Sequence, residues 1–467
     1  MEKKNSINKM GTAPINRLML SMGIPMMISM VLQAVYNIVD SAFVSHMAEN
    51  GEQALNALTL AFPVQMLMVA FSIGTGVGVN ALLSRSLGSN DRERANKATG
   101  NGLFLALVFY VIFLLFGLFG TDFYVSTQTD IPQIKEMASS YLKICCTVSF
   151  GVTFFAVYEK TLQATGRSLF STIAQIAGAL TNIILDPIMI YGYFGCPEFG
   201  VKGAAYATII GQIVSLIAAA LFHGLFNKEI SNNLKYLRPS AHIIGQIYSI
   251  GLPAIIAQAL MSVMTYGLNI ILGGISENAV TAYGLYYKIQ QFVLFIAFGL
   301  RDAITPIVSF NFGMRSKSRV KDGVKYGIGY TLIIMFVCCI VLEIIANPLT
   351  KAFGLSAETS ALCVSAIRVI SLSFVFAGLN IAFQGYFQAL QSGMESLVIS
   401  VLRQLVLVLP VAYVLSKIVI NSGSSSVTLV WITFPVAEIL TAAVGVFMLK
   451  RTYQKKVVCL SDEKATA

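Results

Sequence analysis

The sequence predicts an all-α integral membrane protein of twelve transmembrane helices, in two six-helix lobes related by a pseudo-twofold axis along the membrane normal. Three observations predict it: a long internal repeat, apolar segments that can cross a bilayer, and a one-sided distribution of lysine and arginine. Of 467 residues, 56% are hydrophobic and 12% are charged. A soluble domain of this size could carry that composition only with a very large exposed apolar surface, so the predicted solvent is lipid.

The repeat is visible in residues that recur about 225 positions apart. Gly23–Pro25, which opens a long apolar segment, returns as Gly251–Pro253. Other pairs at this spacing are Gln65 and Gln290, Gly74 and Gly299, Ser84 and Ser309, Gly88 and Gly313, Arg94 and Arg319, and Gln163 and Gln388. Such a duplication is common in transporters, where the two repeats enclose a cleft that opens to one side at a time.

Apolar segments of about 20 residues or more are long enough to cross a hydrocarbon core about 30 Å thick. Twelve are predicted, at residues 16–47, 54–83, 97–119, 133–158, 168–193, 203–225, 243–272, 279–310, 323–346, 359–386, 395–416 and 427–449. Six spans per half is an even number, so both halves have the same orientation and the repeats are parallel. The chain is thus divided into a first lobe at 1–226, a linker at 227–241, a second lobe at 242–450 and a basic tail at 451–467.

Orientation follows from the basic residues, which cytoplasmic loops retain. With both termini inside, the opposite side of the membrane receives only Lys135, Lys202, Lys351 and Lys417. The formal charge of +10 is then explained by topology, and no nucleic-acid partner is expected. We predict a multi-pass protein with both termini and the 227–241 linker in the cytoplasm.

The first span carries a polar stripe. Gln33, Tyr36, Asn37 and Asp40 recur at three- and four-residue spacing, so they share one face of an otherwise apolar helix. A charged residue in mid-span costs about 2.5 to 3.5 kcal/mol on insertion scales, so Asp40 is expected to face protein or water.

The fifth span repeats the arrangement with Asn182 and Asp186, one turn apart and followed by Pro187, which is expected to bend the helix. Carboxylate and amide oxygens can hold Na⁺, and a carboxylate in an apolar pocket can hold a proton instead. The sequence therefore predicts a cation or proton site at Asp40, Asn182 and Asp186, with Thr208 of the sixth span as a further ligand. The structural alternative is that both acids only hydrogen-bond between helices.

Other charges and aromatic residues are less specific. Glu159 and Lys160 lie near the cytoplasmic end of the fourth span, where a solvated pair is favoured over a gate. Arg301 and Asp302 lie deeper, in the eighth span, and Asp302 is expected to pair with Arg368 or Arg403 because adjacent helical residues point apart. The predicted substrate cleft comprises Gln33, Tyr36, Asn37, Glu159, Tyr266, Arg301 and Asp302.

The segments Leu32–Asp40 and Thr181–Pro187 resemble the multidrug and toxic compound extrusion (MATE) transporters, and the twelve-span plan agrees over nearly the whole chain. Within that family the chain is similar to the MepA-like bacterial branch. The resemblance implies a secondary active transporter of the bacterial plasma membrane, not an enzyme, which exports diverse lipophilic, often cationic compounds in exchange for H⁺ or Na⁺. It also implies that Asp40, Asn182, Asp186 and Thr208 form the ion site.

The same resemblance implies no cofactor apart from the coupling ion, a functional monomer, and contact with small-molecule substrates and membrane lipids. One branch of the family also carries an acid in the seventh span. Residues 243–272 contain no aspartate or glutamate, so a second-lobe cation site of that kind is not expected.

Two other functions stay open at this point. A flippase for lipid-linked oligosaccharides or cell-wall precursors shares the two-lobe plan, and Arg301, Arg368 and Arg403 would suit a pyrophosphate group. More remote is an intramembrane prenyltransferase, which would need a second aspartate-rich motif to hold Mg²⁺; the chain has only the 182–186 motif. A channel is disfavoured, because a twofold repeat provides no ring of selectivity carbonyls.

Overall fold

The computed structural model describes residues 8–47, 51–351, 357–421 and 427–460, and within these ranges the regular secondary structure is entirely helical. The helices of the first repeat are α1 (Lys9–Thr12), α2 (Ile15–Ser45), α3 (Gly51–Gly88), α4 (Arg92–Phe119), α5 (Thr121–Ser126), α6 (Pro132–Thr147), α7 (Phe150–Ala164), α8 (Ser168–Tyr191) and α9 (Val201–Phe226). Those of the second are α10 (Ala241–Gly273), α11 (Glu277–Gly313), α12 (Lys317–Lys351), α13 (Ala357–Ser371), α14 (Phe374–Ala389), α15 (Gly393–Val401), α16 (Val408–Asn421), α17 (Thr428–Trp431) and α18 (Thr433–Lys456). Short 3₁₀ helices lie at Tyr193–Gly195 and Leu234–Leu237, and a π-helical turn lies at Leu402–Val406.

The predicted twelve spans are confirmed. Ten described helical segments are long and apolar enough to cross a membrane, and two further spans are bent pairs of helices. In the first repeat α6 and α7 meet at 46°, and in the second α13 and α14 meet at 53°. The second helix of each pair starts just after a serine, Ser149 or Ser373, so the bend recurs at the repeat spacing. Pro187, by contrast, lies inside α8, which continues to Tyr191 without a break.

The outer surface of the bundle is apolar. Large hydrophobic side chains are widely exposed along the spans, among them Ile112, Leu115, Ile333, Phe336 and Ile344. In water such a surface would drive aggregation, whereas lipid tails solvate it. The exposed faces of these helices therefore agree with a membrane location.

Contacts divide the chain into two compact units, and each unit includes a segment from the other predicted lobe. The first unit contains residues 1–12 and 28–255, and the second contains 13–27 and 256–467. The predicted boundaries at 226 and 242 divide the chain between repeats, but the first half of each leading helix, α2 and α10, packs with the unit of the other repeat. The basic tail predicted from residue 451 is helical as far as Lys456, the end of α18.

Glycines explain this exchange of segments, because they let backbones approach closely where no hydrophobic force drives helices together. In the first unit, a Cβ at Gly74 of α3 would lie 2.9 Å from the Gly251 carbonyl oxygen of α10. In the second unit, a Cβ at Gly299 of α11 would lie 2.5 Å from the Cα of Met27 on α2. Gly74 and Gly299 are one of the repeat pairs, so the same contact is made in each unit.

The segment between the repeats is packed within the first unit. The amides of Ser231 and Ser240 each donate a 2.8 Å hydrogen bond to a side-chain oxygen on α4, that of Asn96 and that of Asn101 respectively. A Cβ at Gly100 of the same helix would clash with the carbonyl oxygen of Tyr236. The predicted linker is therefore a docked segment, and α10 begins at its last residue, Ala241.

In the second unit, a buried ion pair links α18 to the π-helical turn. Arg403 donates from Nε to Glu438 Oε1 at 2.5 Å, and Asn380 of α14 donates to Glu438 Oε2 at 2.8 Å. Arg403 and Glu438 are each 6% exposed and Asn380 is fully buried. The π turn, a feature that often marks functional or strained positions, places the guanidinium against the acid.

Adding one methyl group at Gly203 should destabilise the protein. A Cβ there would clash with the Met189 carbonyl oxygen, a backbone atom that cannot move aside alone, so Gly203→Ala is expected to cost about 1 to 3 kcal/mol. Gly224→Ala on the same helix is the matched control, because no atom lies within 4 Å and alanine favours helix. Thermal unfolding in detergent measures both, and equal melting temperatures would contradict this packing.

Breaking the Arg403–Glu438 pair on one side should destabilise far more than removing both charges. Arg403→Met and Glu438→Met each leave an uncompensated buried charge and are expected to cost about 3 to 5 kcal/mol, whereas the double variant should recover most of the loss. Glu93→Gln in the exposed Glu93–Lys97 pair is the control and should leave the melting temperature unchanged. Additive losses in the double variant would show that the two charges act independently.

Candidate functional site

A cavity lined by both polar and apolar side chains lies inside the first unit, between α2, α3, α7, α8 and α9. Its volume is about 130 Å³, room for several water molecules. The lining residues are Met30, Gln33, Tyr36, Val69, Ser72, Ile73, Val152, Phe155, Ala156, Glu159, Lys160, Gln175, Gly178, Ala179, Asn182, Thr208, Gly211, Gln212 and Ser215. Ten of these nineteen side chains are polar, although every helix that supplies them is predominantly apolar.

Two glycines bring α8 and α9 together beside the cavity. A Cβ at Gly178 would clash with the Gly211 carbonyl oxygen, and one at Gly211 would lie 2.7 Å from the Gly178 carbonyl oxygen. Asn182 follows Gly178 by one turn, and Thr208 precedes Gly211 by one turn. The contact therefore places polar groups from two helices along one cavity wall.

Asn182 and Asp186 on α8 are hydrogen-bonded to each other. The Asn182 Nδ2 donates to Asp186 Oδ1 at 3.2 Å, as the four-residue spacing predicts. Asp186 is fully buried and Asn182 is 3% exposed, yet Asp186 Oδ2 and Asn182 Oδ1 have no hydrogen-bond partner in the described residues. Both oxygens can accept a further ligand.

The first-span stripe approaches the same group. Asp40 acts electrostatically on Asp186, and both acids act on the Tyr36 hydroxyl. Asp40 Oδ1 is a further buried oxygen with no hydrogen-bond partner among the described residues. Gln33 accepts a 3.3 Å hydrogen bond from Gln175 of α8. The side chain of Asn37, also predicted here, lies outside the described part of the chain.

Thr208 supplies the fourth group. Its hydroxyl is buried and bonds neither its own helix nor another described residue, although a bond within its own helix is common for threonine in a span. Gln212, one turn further along α9, has a buried Oε1 with no partner in the same part of the chain. The structure therefore places Asn182, Asp186 and Thr208 on neighbouring helices, with Asp40 near enough for its charge to act on Asp186.

This arrangement suits a small cation or a proton. Neither Asp40 nor Asp186 forms an ion pair within the described ranges. Two acids that act on each other in a buried site favour the neutralisation of at least one, by a proton or a bound cation. Carboxylate, amide and hydroxyl oxygens suit Na⁺, whereas no cluster of three or more His, Cys, Asp or Glu suited to a metal ion occurs in the residues that are described.

Glu159 and Lys160 differ from the solvated pair that the sequence favours. They are 7% and 2% exposed, and both line the cavity. Gln163 donates to Glu159 Oε1 at 2.9 Å and accepts from the Lys160 ammonium at 3.1 Å, and the two charges lie 3.8 Å apart. The bent α6–α7 span directs both residues into the bundle, because α7 is packed against α3 and α9.

The remaining predicted residues belong to the second unit. Arg301 donates two hydrogen bonds, of 3.1 and 2.9 Å, to Asp302 Oδ1. The expected pairing of Asp302 with Arg368 or Arg403 is therefore wrong, because the long guanidinium side chain folds back to its neighbour, while Arg403 pairs with Glu438. Tyr266 is 71% exposed on α10.

The sequence reasoning missed Gln175, Gln212 and Glu438. Gln175 precedes Asn182 by two turns and Gln212 follows Thr208 by one, so helical spacing from the named residues would have found both. Glu438 is an acid within an apolar span, and the criterion that selected Asp40 selects it too.

Known proteins resemble the chain over nearly its full length. The multidrug export protein MepA of Staphylococcus haemolyticus (strain JCSC1435) is 26% identical over 435 residues, which cover 93% of each chain. MepA of Staphylococcus aureus (strain MRSA252) is 26% identical over 87% of this chain and 88% of the relative. The outward-facing conformation of a multidrug resistance MATE family transporter of the MOP superfamily has the same fold, with a TM-score of 0.89, 24% identity, and coverage of 97% of this chain and all of that one.

The family model MatE matches twice, at residues 25–188 and 253–414. Both matches begin at the repeated proline, Pro25 or Pro253, so the model detects the same duplication that the residue spacing shows. Together they cover well over half of the chain. The chain belongs to the MatE family.

Proposed function

We propose that this protein is an antiporter that exports diverse lipophilic, often cationic compounds and is driven by inward movement of H⁺ or Na⁺. The observation that carries the proposal is that Asp40, Asn182, Asp186 and Thr208 each have one buried side-chain oxygen with no hydrogen-bond partner among the described residues. Relatives named as multidrug export proteins support the substrate class. The setting would be the bacterial plasma membrane, with both termini in the cytoplasm and a single chain as the functional unit.

The ion would act by changing the charge of the site. With both acids ionised, Asp40 and Asp186 repel each other across α2 and α8, and ion binding removes that repulsion. Asp40 lies on α2, whose residues 15–27 pack in the second unit and whose later residues pack in the first. Repacking at Asp40 would therefore act on a helix whose residues contribute to both units.

Within the first unit, substrate would bind at the residues Gln33, Tyr36 and Asn37 of the predicted cleft. Aromatic faces suit lipophilic cations through cation–π attraction.

The flippase alternative is weakened, because two of its three arginines, Arg301 and Arg403, are already paired with acids. A prenyltransferase would need a second acidic motif, and the described residues contain no three-residue metal cluster.

Neutralising either acid should abolish coupled export. In proteoliposomes energised by an ion gradient, export of a fluorescent lipophilic cation by Asp40→Asn or Asp186→Asn should fall to the level of protein-free vesicles, because the amide cannot bind and release a proton or balance Na⁺. Asp130→Asn, in an exposed loop, is the matched control and should export normally. Unchanged export by both site variants would refute the ion site.

The driving ion can be identified in the same vesicles. We expect either a Na⁺ gradient at equal pH or a pH gradient without Na⁺ to drive export by the wild-type chain, and both aspartate variants to lose the response to that gradient. Equal responses of wild type and variants to every gradient would show that export is not coupled at these acids.

A further inference from the structure

The cavity lined by Asn182 and Thr208 is also lined by an ionisable pair, Glu159 and Lys160. In this pair, unlike at the two aspartates, the charge of the acid is compensated by a neighbouring basic residue. Asp40 and Asp186 have no ion pair within the described ranges, whereas Glu159 lies 3.8 Å from the Lys160 ammonium and shares Gln163 with it. The cavity is therefore lined by the neutral Glu159–Lys160 pair and by Asn182, whose amide donates a hydrogen bond to Asp186.

Stability does not explain the pair. A buried ion pair is often no better than apolar side chains of the same size, so its presence in an apolar span points to another use. The fold also makes room for it: a Cβ at Gly76 of α3 would lie 2.8 Å from Lys160 Cγ. Of the residues that line the cavity, only Tyr36, Glu159 and Lys160 are charged or titratable, so Lys160 is the basic group that faces the space.

The charges predict how each site treats a cation. A proton or Na⁺ that binds at Asp40 or Asp186 reduces the combined negative charge of the two acids, which favours tight binding. The same ion on Glu159 cancels the carboxylate that balances Lys160, so it meets a positive charge at short range and is lost rapidly. An ion that binds tightly at the aspartate site and then passes to Glu159, where it binds weakly, would be released without a second tight-binding step.

We propose that Glu159 is a low-affinity release station for the coupling ion, kept low in affinity by Lys160 and connected to Asn182 and Thr208 through the cavity. This assignment rests on the proposed function and gives Glu159 an ion role in place of the substrate contact predicted from the sequence. Water molecules would carry the ion between Asn182 and Glu159, since the cavity has the volume to hold them and polar side chains along it to bind them.

The test measures ion-driven export at varied ion concentration, per folded transporter, and reports the half-saturating ion concentration and the maximal rate. Glu159→Gln leaves the ammonium without its carboxylate and should raise the half-saturating concentration about tenfold or more. Lys160→Met should lower it by a similar factor. Both should reduce the maximal rate, the first because the station is lost and the second because the ion is trapped. Glu159→Asp and Lys160→Arg keep the charges and should restore wild-type behaviour.

The double variant Glu159→Gln/Lys160→Met distinguishes ion binding at Glu159 from an effect of the pair's charges on the distant aspartate site. We expect a half-saturating concentration near wild type, because the net charge is unchanged, together with a low maximal rate, because the carboxylate is missing. A maximal rate equal to wild type would overturn the station. The station would also be overturned if Glu159→Gln and Lys160→Met shifted the half-saturating ion concentration in the same direction. It would be overturned as well if these variants altered only the KM for the exported cation.

The outcome is distinguishable from failure of the proposed function. If Asp40→Asn and Asp186→Asn abolish coupled export while the Glu159 and Lys160 variants behave as wild type, the station alone is refuted. If the aspartate variants export normally, the ion site itself is refuted and the station with it. Thermal unfolding of each variant identifies any loss that comes from misfolding.

Discussion

Close approach of helix backbones at glycines is the constraint on which the rest of the structure depends. Lipid tails are as apolar as the side chains they replace, so packing and hydrogen bonds must hold membrane helices together. Here Gly178 and Gly211 bring α8 and α9 within backbone contact, and the cavity lies beside that contact. Gly74 and Gly299 make the corresponding close contacts with the leading helices, Gly74 with α10 and Gly299 with α2.

The two repeats keep this scaffold but differ in how they handle buried charge. In the first unit, Asp40 and Asp186 are acids without an ion pair in the described residues, a costly arrangement that favours a bound ion. In the second unit the buried acids Asp302 and Glu438 each have an arginine. The first repeat thus combines two acids that have no ion pair in the described residues with the Glu159–Lys160 pair, whereas Asp302 and Glu438 of the second repeat are each paired with an arginine.

One detail shows how the repeats diverged. The positions equivalent to Gly76 and Lys160, about 225 residues further on, are Arg301 and Gly385. In the first unit Lys160 of α7 lies against Gly76 of α3. In the second, Arg301 of α11 lies against Gly385 of α14, where a Cβ would be 2.9 Å from Arg301 Cγ. Each repeat therefore has a long cation opposite a glycine at one helix crossing, but the two residues have exchanged helices. The space for a charge is common to both repeats, while the helix that supplies the charge is not.

The sequence by itself determined the twelve spans and the duplication, and it predicted Asp40, Asn182, Asp186 and Thr208 as buried polar groups of the first unit. These follow from local rules: apolar length sets a span, and polar residues three or four apart share a helical face. The tertiary structure alone decided that Glu159 and Lys160 are buried, that Asp302 pairs with Arg301, and that residues 13–27 pack outside their own repeat. Those outcomes depend on helix bends, side-chain reach and glycine contacts between distant segments, and no periodicity along the chain encodes which distant surface a helix will meet.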